Sequence, residues 1–176
     1  NANLPGIYFH SGSLGHNPSI ALGVAQGMKL HSEKNKVYVL LGDGELNEGT
    51  VWESALLANA KNLDNIVFII DRNGFQANMP TEELIPLEPL EDKFKSFGFD
   101  CFRGNGHDFM EIQSLFEKIH NLHNNQSPKV LVFDTIRGRG LPSIENRADR
   151  WFCQFTDDEV KQLLEELDGE KNAHLK

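Results

Sequence analysis

The sequence predicts an α/β fold, a mostly parallel sheet with helices on both faces. Short apolar runs alternate with amphipathic helical stretches, the pattern of parallel strands joined by helical crossovers. The runs are rich in Val, Ile and Phe and carry little polar alternation, as strands covered on both faces demand. Strands are expected over 36–41, 65–70, 99–102 and 129–136. Ahead of the first strand, Ile20, Ala21, Val24, Ala25 and Met28 recur at helical spacing over 18–31, with Pro18 suited to a first turn. A second helix is expected over 50–61, where Trp52, Ala55, Leu56 and Asn59 fall on neighbouring turns. Asp108 is placed to cap a third, through about 122, with the stripe Ile112, Leu115, Phe116 and Ile119. Thr156 and Glu159 form a capping-box pattern that opens a last helix through 167. The Pro- and Glu-containing stretch 80–89 is expected as a loop before a helix over 90–97.

At 176 residues the chain has the length of one domain. That domain is expected over 1–168, with 169–176 a polar, frayed tail. The absence of an initial methionine, and a glycine-rich motif within a few residues of Asn1, suggest a missing front end. A formal charge of −9 argues against a nucleic-acid partner, which needs a basic face. No apolar run approaches the roughly 20 residues that span a bilayer, so no membrane role is expected. Cys101 and Cys153 lie far apart, without CxxC spacing, and point to a reduced, cytoplasmic protein.

The chemistry concentrates where strands end. The run Val37-Tyr38-Val39-Leu40-Leu41 leads straight into Gly42-Asp43-Gly44-Glu45. Ligands of open α/β sheets gather beyond the carboxyl ends of strands, and a carboxylate there can hold a cation. Gly42 and Gly44 lack a Cβ, which lets the chain bend and lets a phosphate approach main-chain amides. Taken alone, the tripeptide reads more readily as an ordinary strand-to-loop turn than as a ligand site. A second apolar strand, however, ends in Asp71-Arg72-Asn73-Gly74, and Asn73 follows Asp43 by thirty residues. Adjacent crossovers would set the two side by side. Mg²⁺ takes about six oxygens and few protein ligands, so an Asp carboxylate, an Asn carbonyl and a main-chain carbonyl leave room for diphosphate and water. Neither a Walker loop nor a GxGxxG fingerprint is present, which sets a nucleotide cofactor aside.

Gly42-Asp43-Gly44 with the later Asn73 resembles the paired motif of thiamin-diphosphate enzymes. Within them, the chain is similar to the amino-terminal, diphosphate-binding part of transketolases, especially the short form that occurs as a separate subunit. His10-Ser11-Gly12-Ser13-Leu14-Gly15 resembles the family's T-G-S/P-L-G segment. The run 40–49 with Trp52-Glu53 is similar to L-G-D-G-E-x-x-E-G-x-x-W-E, and Asp71-Arg72-Asn73-Gly74-Phe75-Gln76 to D-R-N-G-x-Q. Further likeness runs through 80–83, 86–90, Gly106-His107-Asp108 and Thr135-Ile136-Arg137-Gly138-Arg139-Gly140.

The resemblance implies a thiamin-diphosphate-binding fold in which Asp43, Asn73 and the Phe75 carbonyl hold Mg²⁺. It implies that Gly42, the Gly44 amide and Asn73 meet the diphosphate, and that Gly12, Ser13 and Leu14 line the aminopyrimidine and thiazolium. Glu48 matches a glutamate that links two cofactors across the subunit interface; a solvated helix-start glutamate is the alternative. The activity implied is transfer of a two-carbon ketol unit from a ketose to an aldose, with a sugar or sugar phosphate as substrate. It also implies a pyrimidine-binding (C-terminal) transketolase subunit or domain as partner, in a dimer of heterodimers or a homodimer of a longer chain. The competing readings are another thiamin-diphosphate enzyme, such as a deoxyxylulose-phosphate synthase or a 2-oxo acid dehydrogenase component, a non-catalytic partner subunit, and a plain α/β binding module that uses Asp43 for turn geometry.

Two departures from the family matter: its earlier histidines near cofactor and substrate have no counterpart before Asn1, and a later histidine is replaced. Where short transketolases carry Glu-Trp-His-Gly, this chain has Arg150-Trp151-Phe152-Cys153, and phenylalanine cannot transfer a proton. His10 and His16 flank the Gly-Ser-Leu-Gly segment and are placed to meet a sugar, with His10 the candidate catalytic residue beside Glu48. His107 reads as a loop or catalytic residue; His31, His120, His123 and His174 read as solvated. Arg137 and Arg139 suit the anionic end of a substrate, or a solvated loop.

Overall fold

The computed structural model describes residues 4–122, 126–150 and 152–169. In chain order it contains α1 (His16–Leu30), β1 (Val37–Gly42), a 3₁₀ turn (Gly44–Asn47), α2 (Gly49–Ala60), β2 (Ile66–Arg72), β3 (Phe75–Gln76) and β4 (Met79–Pro80). It continues with α3 (Thr81–Leu84), α4 (Leu90–Ser96), β5 (Asp100–Asn105), α5 (Phe109–His120), β6 (Lys129–Asp134), a 3₁₀ turn (Ala148–Arg150) and α6 (Asp157–Leu167). His123, Trp151 and His174, together with all of the expected tail after Gly169, lie outside the described residues.

The four long strands form one parallel sheet in the order β1-β2-β6-β5, which bears out the α/β expectation. Helices cover both faces, unequally. Ala21, Leu22 and Ala25 of α1, Val51, Ala55 and Ala58 of α2, and Leu90 and Phe94 of α4 share one core. Its sheet side is Val39, Leu41, Ile66, Phe68, Ile70, Val130 and Val132. Phe94 anchors this layer, with ring centroids 5.0 Å from Trp52 and 5.5 Å from Phe99. Burying one such side chain contributes about 1.5–3 kcal/mol. The opposite face carries α5, whose stripe Ile112, Leu115, Phe116 and Ile119 packs on Val67, Ile69, Leu131 and Phe133. There β1 is covered less well: Leu40 stays exposed, while Tyr38 hydrogen-bonds His120 Nε2 at 2.9 Å and tilts on Phe116. His120 is therefore held in a pair rather than solvated alone.

The expected caps form. The Asp108 side chain accepts the Met110 and Glu111 amides, and Thr156 and Glu159 close a reciprocal capping box. Three expectations are corrected. The 80–89 stretch is not plain loop: Met79–Pro80 pairs antiparallel with Phe75–Gln76, and one helical turn follows at Thr81–Leu84. β6 ends at Asp134, short of 136, because Thr135 turns its hydroxyl to Asp71 and Ile136 donates its amide to His107 Nε2. The third helix stops at His120, short of 122.

The register fixes the site. Gly42 lies opposite Asp71 on adjacent parallel strands, so the segments leaving β1 and β2 emerge together at one edge of the sheet. Asp134 of β6 lies opposite Arg72 and Asn105 at the same edge.

Candidate functional site

Asp43 steps off the end of β1 into the 3₁₀ turn and is buried to 1% exposure. Its two carboxylate oxygens differ completely. Oδ2 accepts from the Gly74 amide at 2.6 Å, Arg72 Nη1 at 2.9 Å and Thr81 Oγ1 at 3.3 Å. Oδ1 is buried with no hydrogen-bond partner. A buried carboxylate oxygen without a donor is costly and calls for a cation or a ligand group. Burial pushes the Asp43 pKa above the usual carboxylate range, against the opposing pull of Arg72, Gly74 and Thr81.

The Gly74 contact sets the turn after β2 against Asp43, which brings together the two strand ends singled out by the sequence. Gly74 adopts φ +82°, a conformation that glycine alone takes freely. Asn73 accepts the Phe75 amide on Oδ1 at 3.0 Å and donates Nδ2 to Asp71 Oδ2 at 3.2 Å. Both contacts orient its carbonyl, which keeps a second lone pair for another partner. In chain order, β1 thus leads to a carboxylate, the turn after β2 to an amide carbonyl, and β3 to a main-chain carbonyl at Phe75. Among the described residues no three His, Cys, Asp or Glu side chains cluster as a protein-only metal cage. The donors present suit a cation that completes its shell from a bound ligand and water.

Gly42 has open space where a Cβ would stand, whereas a Cβ on Gly44 would come within 3.0 Å of Gln76 Cγ. The left-handed glycines at the site are Gly15 and Gly74, so the bend expected at Gly42 and Gly44 is made without that conformation. Gly12, Ser13 and Leu14 are exposed just before α1. They are tied to the 42–45 turn through Gly15, whose amide donates to Glu45 Oε1 at 3.0 Å and whose carbonyl accepts Thr50 Oγ1 at 2.9 Å. His16 Nδ1 pairs with Leu14 O at 3.1 Å. Glu48 is exposed at the start of α2 and makes no side-chain cap. His10 lies exposed in the segment ahead of α1, and Phe152 is 78% exposed.

Sequence reasoning gave no role to the residues that hold these groups in place. Glu45 is buried, and Arg72, only 8% exposed, donates to three carboxylates: Asp43, Glu82 at 2.6 Å and Glu88 at 3.2 Å. Glu88 also receives Arg103, which in turn pairs with Asp134 at 2.8 Å. The signal was an arginine ending a buried strand, since a buried cation needs carboxylates around it. Arg137 lies 4.7 Å over the Phe75 ring and donates to Ala77 O, beside the site rather than in a solvated loop.

Burial works against charge on Glu88, but the Leu90 amide and the Arg103 and Arg72 guanidiniums outweigh it and hold its pKa at about 2. A depressed carboxylate pKa stabilises the fold above its ordinary value and loses that contribution as pH falls. Glu88→Gln is therefore expected to cost about 1 kcal/mol at neutral pH after solvent screening. The gap from the unsubstituted protein should close between pH 4.5 and about 2. Urea unfolding across that range checks it, and a gap that stays constant with pH contradicts the assignment.

Comparison with known proteins matches this arrangement to one family. The profile described as "Transketolase, thiamine diphosphate binding domain" covers residues 6–175. The chain is 36% identical over 178 residues to an apulose-4-phosphate transketolase subunit from Phocaeicola vulgatus, covering 97% of this chain and 62% of that protein. It is 34% identical over 165 residues to the 6-deoxy-6-sulfo-D-fructose transketolase subunit SqwG of a Clostridium species, covering 94% of this chain and 59% of that protein. The chain thus spans about 60% of the length of these relatives. The crystal structure of the Campylobacter jejuni transketolase superposes with a TM-score of 0.79 at 26% identity, over 90% of this chain and 26% of that one. The Leishmania mexicana transketolase shares the fold, with a TM-score of 0.78 at 19% identity over 98% of this chain and 27% of that one. With a family profile over nearly its whole length and the strand-end carboxylate that the motif leads one to expect, the chain belongs to the transketolase family as its thiamin-diphosphate-binding domain.

Proposed function

We propose that residues 1–168 form the cofactor-binding half of a transketolase active site, which transfers a two-carbon ketol unit from a ketose to an aldose. The observation that carries the reading is Asp43 Oδ1, a buried oxygen without a donor, at the end of β1 beside the Asn73-Gly74 turn. The residues present fit Mg²⁺ and thiamin diphosphate. Asp43, Asn73 and the Phe75 carbonyl would hold the metal, Gly42, the Gly44 amide and Asn73 the diphosphate, and Gly12, Ser13 and Leu14 the rings. Thiamin diphosphate, when bound, supplies the electron sink for the fragment being transferred. The apolar, half-exposed Leu14 would exclude water from the reacting end, and Glu48 and His10 would handle protons at the interface and at the substrate. Arg137, beside Phe75, would offer positive charge to an anionic ligand there.

Two of the relatives are named as single subunits of transketolases, which supports a partner that supplies the pyrimidine-binding part. We infer an oligomer in which that partner completes the site, acting on a sugar or sugar phosphate. We infer a cytoplasmic setting from Cys101 and Cys153, which are not joined in a disulfide. Among the described residues no helix is long and apolar enough to cross a membrane.

The test is direct. The chain assembled with its pyrimidine-binding partner, given thiamin diphosphate and Mg²⁺, is expected to move a two-carbon unit between ketose and aldose phosphates, followed by chromatography of the products. Cofactor binding without turnover on any ketose would favour the non-catalytic partner reading, for which exposed Phe152 in the histidine position is the specific support. No cofactor binding by the folded pair would overturn both.

A further inference from the structure

The hairpin that carries the Phe75 carbonyl is too small to hold its own shape. Its ladder joins only Phe75 to Pro80 and Gln76 to Met79, and Pro80 has no amide to donate. An isolated two-stranded hairpin is marginal in water even when longer. At its tip Ala77 takes φ +49°, a conformation that residues other than glycine rarely adopt. Contacts from outside must therefore fix the hairpin. Asn47 donates to Gln76 Oε1 at 2.7 Å, and the Thr81 amide donates to Gly74 O at 2.9 Å. A third set of contacts comes from the segment leaving β6, the strand that flanks β2 on the side away from β1. That segment is itself fastened. The Thr135 amide donates to Arg72 O at 3.1 Å and its hydroxyl to Asp71, and the Ile136 amide donates to His107 Nε2 at 2.7 Å. Arg137 thus reaches out from a fixed base. Its guanidinium lies 4.7 Å over the Phe75 ring and gives Nη1 to Ala77 O at 2.7 Å. A planar guanidinium can stack on a ring and donate in its own plane at once. Burial lowers the Arg137 pKa against the pull of Asp43 and Asp71, so its charge lies within electrostatic reach of the cation site.

We propose that Arg137 is a positioning residue that clamps the 75–80 hairpin through the Phe75 ring and the Ala77 carbonyl, and thereby fixes the Phe75 carbonyl for the cation. The sign of its effect is distinctive. A positive charge repels a cation, so by charge alone the loss of Arg137 would strengthen cation binding. Acting through the hairpin, the same loss weakens it, because a carbonyl that must first be ordered binds less tightly. The inference rests on the cation site proposed above, and its test separates the two.

The experiment uses the chain assembled with its pyrimidine-binding partner, and its Arg137→Met, Phe75→Leu and doubly substituted variants. Both side chains are half-buried, so neither change empties the core. Without cation or cofactor, hydrogen exchange over 74–81 is expected to quicken by about tenfold in each single variant, while β2 exchanges as before. Unchanged exchange over 74–81 would overturn the clamp. Isothermal titration of Mg²⁺ with saturating thiamin diphosphate is expected to show an affinity about tenfold lower in each single variant. The double variant should lose no more than either, because both changes remove one contact. Stronger Mg²⁺ binding in Arg137→Met would show that its charge alone acts. Losses that multiply in the double variant would show that Arg137 meets a ligand independently of Phe75, and a looser hairpin with unchanged Mg²⁺ affinity would show a merely structural role. Each of these three results overturns the proposal. Should Phe75→Leu fail to fold, Arg137→Met decides: faster exchange with weaker Mg²⁺ binding supports the clamp, and any other combination overturns it. If Mg²⁺ binding survives Asp43→Ala, the cation site itself is misplaced and the inference falls with it. If Asp43→Ala abolishes binding and Arg137→Met binds normally, the site stands and the clamp alone is wrong.

Discussion

Replacing Asp43 by alanine is expected to abolish Mg²⁺-dependent binding of thiamin diphosphate, a loss of at least about a hundredfold in affinity, equivalent to about 3 kcal/mol. Asp43 is the carboxylate at the strand ends whose open oxygen is buried and without a donor. The other two candidate donors, an amide and a main-chain carbonyl, are neutral. The fold should survive, and that separates this variant from a core lesion. Arg72 keeps Glu82 and Glu88 as partners when Asp43 is removed, so no buried cation is stranded. Burial, opposed by Arg72, holds the Asp43 pKa above its ordinary value. A raised carboxylate pKa contributes stability below the unfolded value and loses it as pH rises through the folded value. At neutral pH the ionised, unligated Asp43 therefore costs stability, and its removal offsets part of the lost hydrogen bonding. The same linkage makes cation affinity fall as the medium is acidified toward the raised pKa. Calorimetry with thermal melting reads both effects. An Asp43→Ala protein that binds within a few-fold of the unsubstituted one would exclude this carboxylate as the metal ligand.

How much of this was legible depends on the range over which each feature is encoded. The strand and helix order could be read from local runs, and the caps at Asp108 and Thr156 from residues within three positions. Asp43 and Asn73 could be paired because both end apolar strands, and one parallel register then sets Gly42 against Asp71. The 75–80 hairpin was hidden because its ladder is only two residues deep on each side, too short for any period to show. The ion-pair chain from Asp43 through Arg72, Glu88 and Arg103 to Asp134 was hidden for a different reason. Its links join residues separated by 15 to 31 positions, and a charged side chain carries no local mark of being buried. Glu45 illustrates this most sharply: within a Gly-Asp-Gly-Glu turn it looks like a solvated acid, yet it is buried and fastens the Gly15 amide.

That fastening makes Gly15→Ala the second substitution expected to have a large effect. Gly15 precedes α1 with φ 81°, where an L side chain costs about 1–2 kcal/mol. An added Cβ would stand 2.3 Å from Thr50 Oγ1 and 2.7 Å from Glu48 Cβ. Thr50 can rotate only by giving up its bond to the Gly15 carbonyl, and Glu48 Cβ is fixed to the backbone that opens α2. The chain around Gly15 must therefore move away from α2, and Glu45 loses the amide it was buried to receive. Strain and overpacking together should cost about 2–4 kcal/mol, or roughly 5–15 °C in Tm. Displacing 12–14 should also weaken thiamin diphosphate binding by at least about tenfold, since positioning is lost along with contact. Gly6→Ala is the control: its φ of +88° imposes comparable backbone strain, but an added Cβ meets nothing within 4 Å. It should lower Tm modestly and leave cofactor affinity unchanged. Were Gly15→Ala to bind the cofactor as well as Gly6→Ala does, Gly12, Ser13 and Leu14 would have no place in the cofactor site, and the anchoring by Glu45 and Thr50 would serve the fold alone.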